Sequence, residues 1–141
     1  MEDNKIKIVY ICHPISGDIK GNLEKIRLIV REINLTEPDV VPFAPYWLDC
    51  FALDDNIPAE RERGIKNDHE LFNRKFIDEL WLFGDRLSNG MKAEMQLAIS
   101  LGIKVVVMDV RLSDYIKPDF MNYPVYEEYL EAVRKYENLI K

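Results

Sequence analysis

The run Lys5-Ile-Lys-Ile-Val-Tyr-Ile-Cys12 alternates polar and apolar residues at its start and becomes continuously apolar at its end. A strand covered on one side alternates throughout, whereas a central parallel strand, buried on both faces, reads as an unbroken apolar run. This segment therefore points to a sheet sandwiched between helices. The rest of the chain supplies the partners. Val40-Val41-Pro42-Phe43 is a second strand after the Glu37-Pro38-Asp39 turn, Leu80 to Phe83 is a third closed by Gly84, and Ile103 to Asp109 is a fourth. Helical patterns lie between them: about Lys20 to Ile33, about Ala59 to Phe76, and a helix opened by Ser88-Asn-Gly90 that runs to about Leu101 and stops at Gly102.

Strands alternating with helices predict an α/β fold: a Rossmann- or flavodoxin-like parallel sheet with helices on both faces. Right-handed crossovers give the strand order 2-1-3-4 and place a crevice between the first and third strands. Ala44 to Pro58 reads as a long irregular stretch rich in aromatics and acids, and loops of that length in a compact domain are functional or disordered. A connector from Lys117-Pro118 to Pro124 and an amphipathic helix over Val125 to Ile140 complete a single predicted domain, residues 1–141.

Composition narrows the function. A net charge of −6 with no basic run argues against a nucleic-acid surface. Two cysteines, Cys12 in an apolar run and Cys50 beside Phe51, read as core thiols in a reducing cytosol. Two histidines, His13 and His69, are too few to build a metal cluster with them, so no metal is expected. No apolar stretch reaches membrane length, and Met1-Glu-Asp-Asn-Lys5 is not a signal peptide, so the expectation is a cytoplasmic protein without a membrane partner. The three-glycine dinucleotide fingerprint, the Walker motif and the Gly-x-Ser-x-Gly elbow are all absent. A phosphate on the amides opening the Lys20 helix is about as good a reading as a plain turn.

Glu94 is the residue that packing explains least. Met91, Met95, Ala98 and Leu101 follow the rhythm of an inward helix face, and Glu94, three residues after Met91, lies on it. A carboxylate just beyond a strand's carboxyl end occupies the usual ligand crevice of an α/β sheet. The bland alternative is a side chain that swings out to a surface lysine. Tyr10, late in the first strand, can reach the same crevice, although core packing is the commoner role of a strand tyrosine. The loop His13-Pro-Ile-Ser16-Gly17-Asp18 and the aromatic stretch with Tyr46 and Trp47 should face Glu94 across it. Tyr46 and Trp47 could stack on a planar base or simply pin the loop, and Asp68 reads by default as a solvated carboxylate.

Taken together, these residues resemble the nucleoside 2-deoxyribosyltransferase-like superfamily, and within it a subgroup of bacterial and phage proteins. The resemblance rests on Tyr10-Ile-Cys-His-Pro-Ile-Ser-Gly-Asp18, Pro58-Ala-Glu-Arg61, Gly64, Asp78-Glu-Leu-Trp-Leu-Phe-Gly84, Ser88-Asn-Gly-Met91, Glu94, Ala98 and Leu101-Gly-Ile103. It covers roughly residues 5–109. It implies that Glu94 is a nucleophile taking a deoxyribosyl group from a nucleoside, that Asp68 binds and protonates the leaving base, and that Tyr10 positions the nucleophile. A nearby helix N-terminus would help keep Glu94 ionised.

The expected ligand is a nucleoside, nucleotide or related molecule, bordered by His13, Ser16, Gly17, Asp18, Tyr46, Trp47, Gly84, Ser88, Gly90 and Met91, with no cofactor. The resemblance also implies a homodimer or larger assembly. Ser88 stands where the transferases carry a second base-contacting Asp, which puts base exchange in doubt. The rival expectation is a protein that binds a nucleotide-derived signal without cleaving it, as a phage origin would favour.

Overall fold

A computed structural model of the chain describes residues 5–109 and 111–112. The connector and terminal helix expected after Lys117 lie outside the described residues. The elements run β1 (Lys7–Cys12), α1 (Ile19–Thr36), β2 (Val40–Phe43), α2 (Tyr46–Ala52), α3 (Pro58–Asn73), β3 (Glu79–Leu82), α4 (Asn89–Ser100) and β4 (Lys104–Val107). The four strands form one parallel sheet in the order β2-β1-β3-β4, as the sequence predicts.

The two-residue period of β1 divides the core. Tyr10 and Cys12 point to one face, where they pack with Leu80, Leu82, Val105 and Val107 of the sheet, Phe72 of α3, and Met91, Met95 and Ala98 of α4. Val9 and Ile11 point to the other, with Trp81, Val106, Met108 and Ile33 of α1. All four β1 residues from Val9 to Cys12 are fully buried. Each large apolar side chain so placed contributes about 1.5–3 kcal/mol, which is why this run dictates helices on both sides. The helix after β1 covers one face and the helix after β3 the other, so the chain diverges between β1 and β3 and opens a crevice at their carboxyl ends.

Two stretches differ from the sequence reading. Ala44 to Pro58 is not irregular throughout: it contains α2, entered at Pro45, whose φ of −64° already suits a helix. Trp47 and Phe51, four residues apart, stack along that helix with ring centroids 5.7 Å apart. The helix expected to reach Phe76 stops at Asn73, because Lys75 takes a left-handed φ of 62° and turns the chain toward β3.

The loops after β1 and β3 are locked together. Gly84 has a φ of +106°, and a Cβ there would lie 2.5 Å from Pro14 Cδ, so this contact demands glycine. The fully buried Asp109 carboxylate accepts the Gly84 N–H at 3.1 Å and is gripped by the Arg111 guanidinium at 2.9 and 2.6 Å. No helix of the described residues is long and apolar enough to cross a membrane.

Candidate functional site

Three side chains from three elements meet at one oxygen atom. The Tyr10 hydroxyl lies 2.8 and 3.0 Å from the two carboxylate oxygens of Asp68 on α3 and 2.5 Å from Glu94 Oε2 on α4. Glu94 Oε1 accepts from the Cys12 thiol at 3.4 Å. The period of β1 brings Tyr10 and Cys12 to the same face, and the inward stripe of α4 aims Glu94 at them. Tyr10 is fully buried and Asp68 is 6% exposed, whereas Glu94 is only partly covered. Glu94 thus turns inward, not out to a lysine.

A hydroxyl has one proton to donate, and here it faces two carboxyl groups. With both ionised, one of them would confront the lone pairs of Tyr10 without a proton between. The arrangement is satisfied when the pair holds one further proton, so that one carboxyl donates to Tyr10 and Tyr10 donates to the other. The electrostatics agree. Burial and the neighbouring Asp68 push the Glu94 carboxyl well above the usual range, and burial raises that of Asp68. The two titrate as a pair. Burial raises the Tyr10 hydroxyl as well, with Glu94 and Asp68 adding to the effect, so it stays a donor. The expectation that a helix N-terminus would favour ionised Glu94 gives way to desolvation. Glu94 sits in the second turn of α4, and the dipole's influence fades within the first.

Glu94 opens onto a cleft of two adjoining hollows, about 110 and 160 Å³, that share Tyr46, Cys50, Asp55, Arg61, Ile65 and Glu94. Asp68 and Asp49 border the first. His13, Ser16, Ser88, Gly90 and Met91 border the second. Tyr46 is fixed by a hydrogen bond from its hydroxyl to the Ile11 carbonyl. The Ser88 hydroxyl is engaged as the N-cap of α4, accepting from Met91 N at 3.2 Å. His13 Nδ1–H donates to the Pro14 carbonyl at 2.7 Å, and burial lowers its pKa, which favours a neutral ring.

Four expected ligand contacts lie elsewhere. Trp47 is turned away: its indole N–H donates to the Leu23 carbonyl at 2.8 Å, and it borders a separate hollow with Ile26, Val30 and Pro42. Asp18 caps α1 by accepting from Gly21 N at 3.1 Å. Its carboxylate thereby occupies the place at which the sequence left room for a phosphate. Gly17 and Gly84 shape loops and do not line the cleft. Gly17 packs near Arg86, and Gly84 faces a hollow beside Lys25 and Asp85.

Conversely, the sequence reading missed Asp49, Cys50, Asp55, Arg61 and Ile65 as lining residues, and Cys12 as a partner of Glu94. Two spacings carried that information. Arg61, Ile65 and Asp68 follow the i, i+4, i+7 rhythm of one face of α3, and Cys12 stands two residues from Tyr10 on a strand. Among the described residues no group of three or more His, Cys, Asp or Glu side chains could hold a metal ion.

No curated protein matches the chain. Among solved structures it is similar to the crystal structure of a conserved protein from Enterococcus faecalis V583, at 19% identity and a TM-score of 0.51, over 94% of this chain and 87% of that one. At that identity the likeness speaks to the α/β fold alone. The family model described as Domain of unknown function (DUF7768) matches residues 7–108, from the first residue of β1 to just past β4. Tyr10, Cys12, Asp68 and Glu94 all fall within that span, and the chain belongs to the DUF7768 family.

Proposed function

We propose that this protein cleaves the N-glycosidic bond of a nucleoside, nucleotide or related molecule, with Glu94 as nucleophile. The observation that carries the reading is the meeting of Asp68 and Glu94 at the Tyr10 hydroxyl, beside a cleft that Glu94 enters. Such a pair, sharing one proton, holds an acid and a nucleophile at once. With the proton on Asp68, a Glu94 oxygen attacks the anomeric carbon as it gains oxocarbenium character. The carbon–nitrogen bond breaks, its electron pair goes to the base nitrogen, and the Asp68 proton follows. Water then attacks the sugar ester, gives its proton to Asp68 and frees Glu94. Tyr46 supplies a wall against which a planar base can lie.

Hydrolysis is favoured over base exchange. Position 88 offers a hydroxyl already committed to capping α4, where an exchanging enzyme would hold an incoming base with a carboxylate. The two free thiols suit a reducing, cytoplasmic setting. Exposed Leu48, Phe51, Ile57 and Ile65 of the α2–α3 region favour association with a second copy.

One observation favours a second reading, a binding protein that keeps the ligand intact. A Glu94 carboxyl pushed well up holds its proton and is then a good hydrogen-bond donor but a poor nucleophile. Incubation with a panel of nucleosides, nucleotides and dinucleotides, with products and retained ligand resolved by chromatography, separates the two. Free base released by wild type but not by Glu94→Gln supports cleavage. Intact ligand carried with the protein, and no release, supports the binder.

A further inference from the structure

We propose that Cys12 is a positioning residue for Glu94: its thiol holds Oε1 while Tyr10 holds Oε2, fixing the carboxylate plane and leaving Oε1 as the oxygen that meets the ligand. The proposal rests on the reading of Glu94 as the group that acts on the ligand. The two oxygens of Glu94 are treated unequally. Oε2 is engaged at 2.5 Å by the hydroxyl that also binds Asp68, whereas Oε1 has the thiol at 3.4 Å. A thiol is a weak donor, so it orients the oxygen while leaving its electron density largely available. A hydroxyl in its place would bind Oε1 more tightly and blunt its attack.

Burial and the adjoining Glu94 push the Cys12 thiol well up, so it stays protonated and donates. Cys12 is fully buried, with its neighbour Tyr10 equally enclosed, so it reaches a ligand only through Glu94. Glu94 is faced by Tyr10 and Cys12 of β1, Asp68 of α3, and Tyr46 and Cys50 of α2, with Asp55 and Arg61 on the cleft walls. The thiol and the hydroxyl donate to different oxygens of Glu94, so removing the thiol takes the donor from Oε1 while Oε2 keeps its own.

The test compares Cys12→Ser and Cys12→Ala in the full chain by following the Glu94 carboxyl carbon by NMR across pH, alongside kcat and KM for released base. Serine, the stronger donor, is expected to stabilise ionised Glu94 and lower its midpoint. Alanine, with no donor, is expected to raise it, each by about half to one pH unit. Both should lower kcat with KM nearly unchanged, serine by over-binding the attacking oxygen and alanine by releasing it. Packing alone would move thermal stability and leave the midpoints together. If serine disrupts folding, Cys12→Val replaces it: valine and alanine differ in volume but both lack a donor, and both should raise the midpoint. Midpoints that do not move, or serine and alanine shifting the same way, overturn the proposal. Midpoints that split in a protein that releases no base from any substrate leave Cys12 as the positioner of Glu94 and remove the cleavage reading instead.

Discussion

Asp68 and Glu94 come from different helices and reach the same atom, the Tyr10 hydroxyl, at 2.8 and 2.5 Å. A fully buried tyrosine between two carboxyl groups is costly unless every proton is placed, because unpaired polar groups in a low dielectric are heavily penalised. A shared proton removes that cost and gives the pair its chemistry. The same economy makes the site sensitive to pH and to single-atom changes.

Tyr10→Phe removes the oxygen at which the pair meets while keeping the ring packed against Phe72, 4.7 Å away between centroids. The lost hydrogen bonds to a charged group are worth about 1.5–3 kcal/mol, so turnover should fall by about 10- to 100-fold. The Tyr10 bond lowers the Glu94 pKa from where burial would put it. Its removal should therefore move the acid limb of the activity profile to higher pH. Unchanged turnover in the variant, measured against wild type on the same substrate, would contradict the assigned role.

The activity of wild type should be bell-shaped in pH, with both limbs belonging to the pair. Below the lower midpoint both carboxyls are protonated and no nucleophile remains; above the upper one the shared proton is gone and no acid remains. Both groups are raised, so the bell should sit above the ordinary carboxylate range. A profile flat from acid to neutral pH would exclude a titrating pair.

Stability should carry the opposite signature. Glu94 has a higher pKa folded than unfolded, so as pH rises past the ordinary glutamate value the unfolded chain releases a proton that the folded one keeps. Stability then falls with rising pH until the folded midpoint is passed, by about 1.4 kcal/mol per unit of displacement. Glu94→Gln does not titrate and should be more stable than wild type at neutral pH, with the gap closing in acid. Denaturant melts at pH 4 and pH 7 check this, and a variant less stable than wild type at neutral pH would contradict it.

How much of this was legible beforehand depends on which period carried the signal. The continuously apolar end of β1 and the Met91–Met95–Ala98 stripe of α4 are strong signals, so a sheet covered on both faces and the inward aim of Glu94 could be read from them, and the alternation of strands with helices supplied the sheet order. Trp47 could not be placed. An indole on a short helix faces the cleft or the core according to the helix's rotation, and that is set by tertiary contacts such as its bond to Leu23 O. The mostly polar pattern of α3 makes Asp68 read by default as a solvated carboxylate, and its burial comes from the tertiary contact with Tyr10, which no local pattern carries. A thiol in an apolar run ordinarily packs, so the run itself carries no sign of the bond from Cys12 to Glu94.

Association is tested through the surface beside the cleft. Phe51 is 71% and Leu48 65% exposed on α2. If this surface meets a second copy, light scattering at micromolar concentration should give a dimer or larger, and Phe51→Glu should shift it toward monomer. A wild-type monomer under those conditions would end the proposal.

Ser88 offers a gain-of-function test. Ser88→Asp retains an N-cap for α4 and adds a carboxylate at the cleft. Base exchange should rise relative to hydrolysis when a free base is supplied. Efficient exchange by the unmodified protein would show that position 88 does not govern the choice.

The most direct measurement concerns Glu94 itself: turnover and ligand affinity of wild type, Glu94→Gln and Glu94→Ala on the best substrate from the panel. As the nucleophile, Glu94 should be irreplaceable for chemistry. Both variants should lose turnover by orders of magnitude, glutamine almost as severely as alanine, while affinity changes little. Substitutions that leave turnover intact, or that act on affinity alone with glutamine much milder than alanine, would contradict the account.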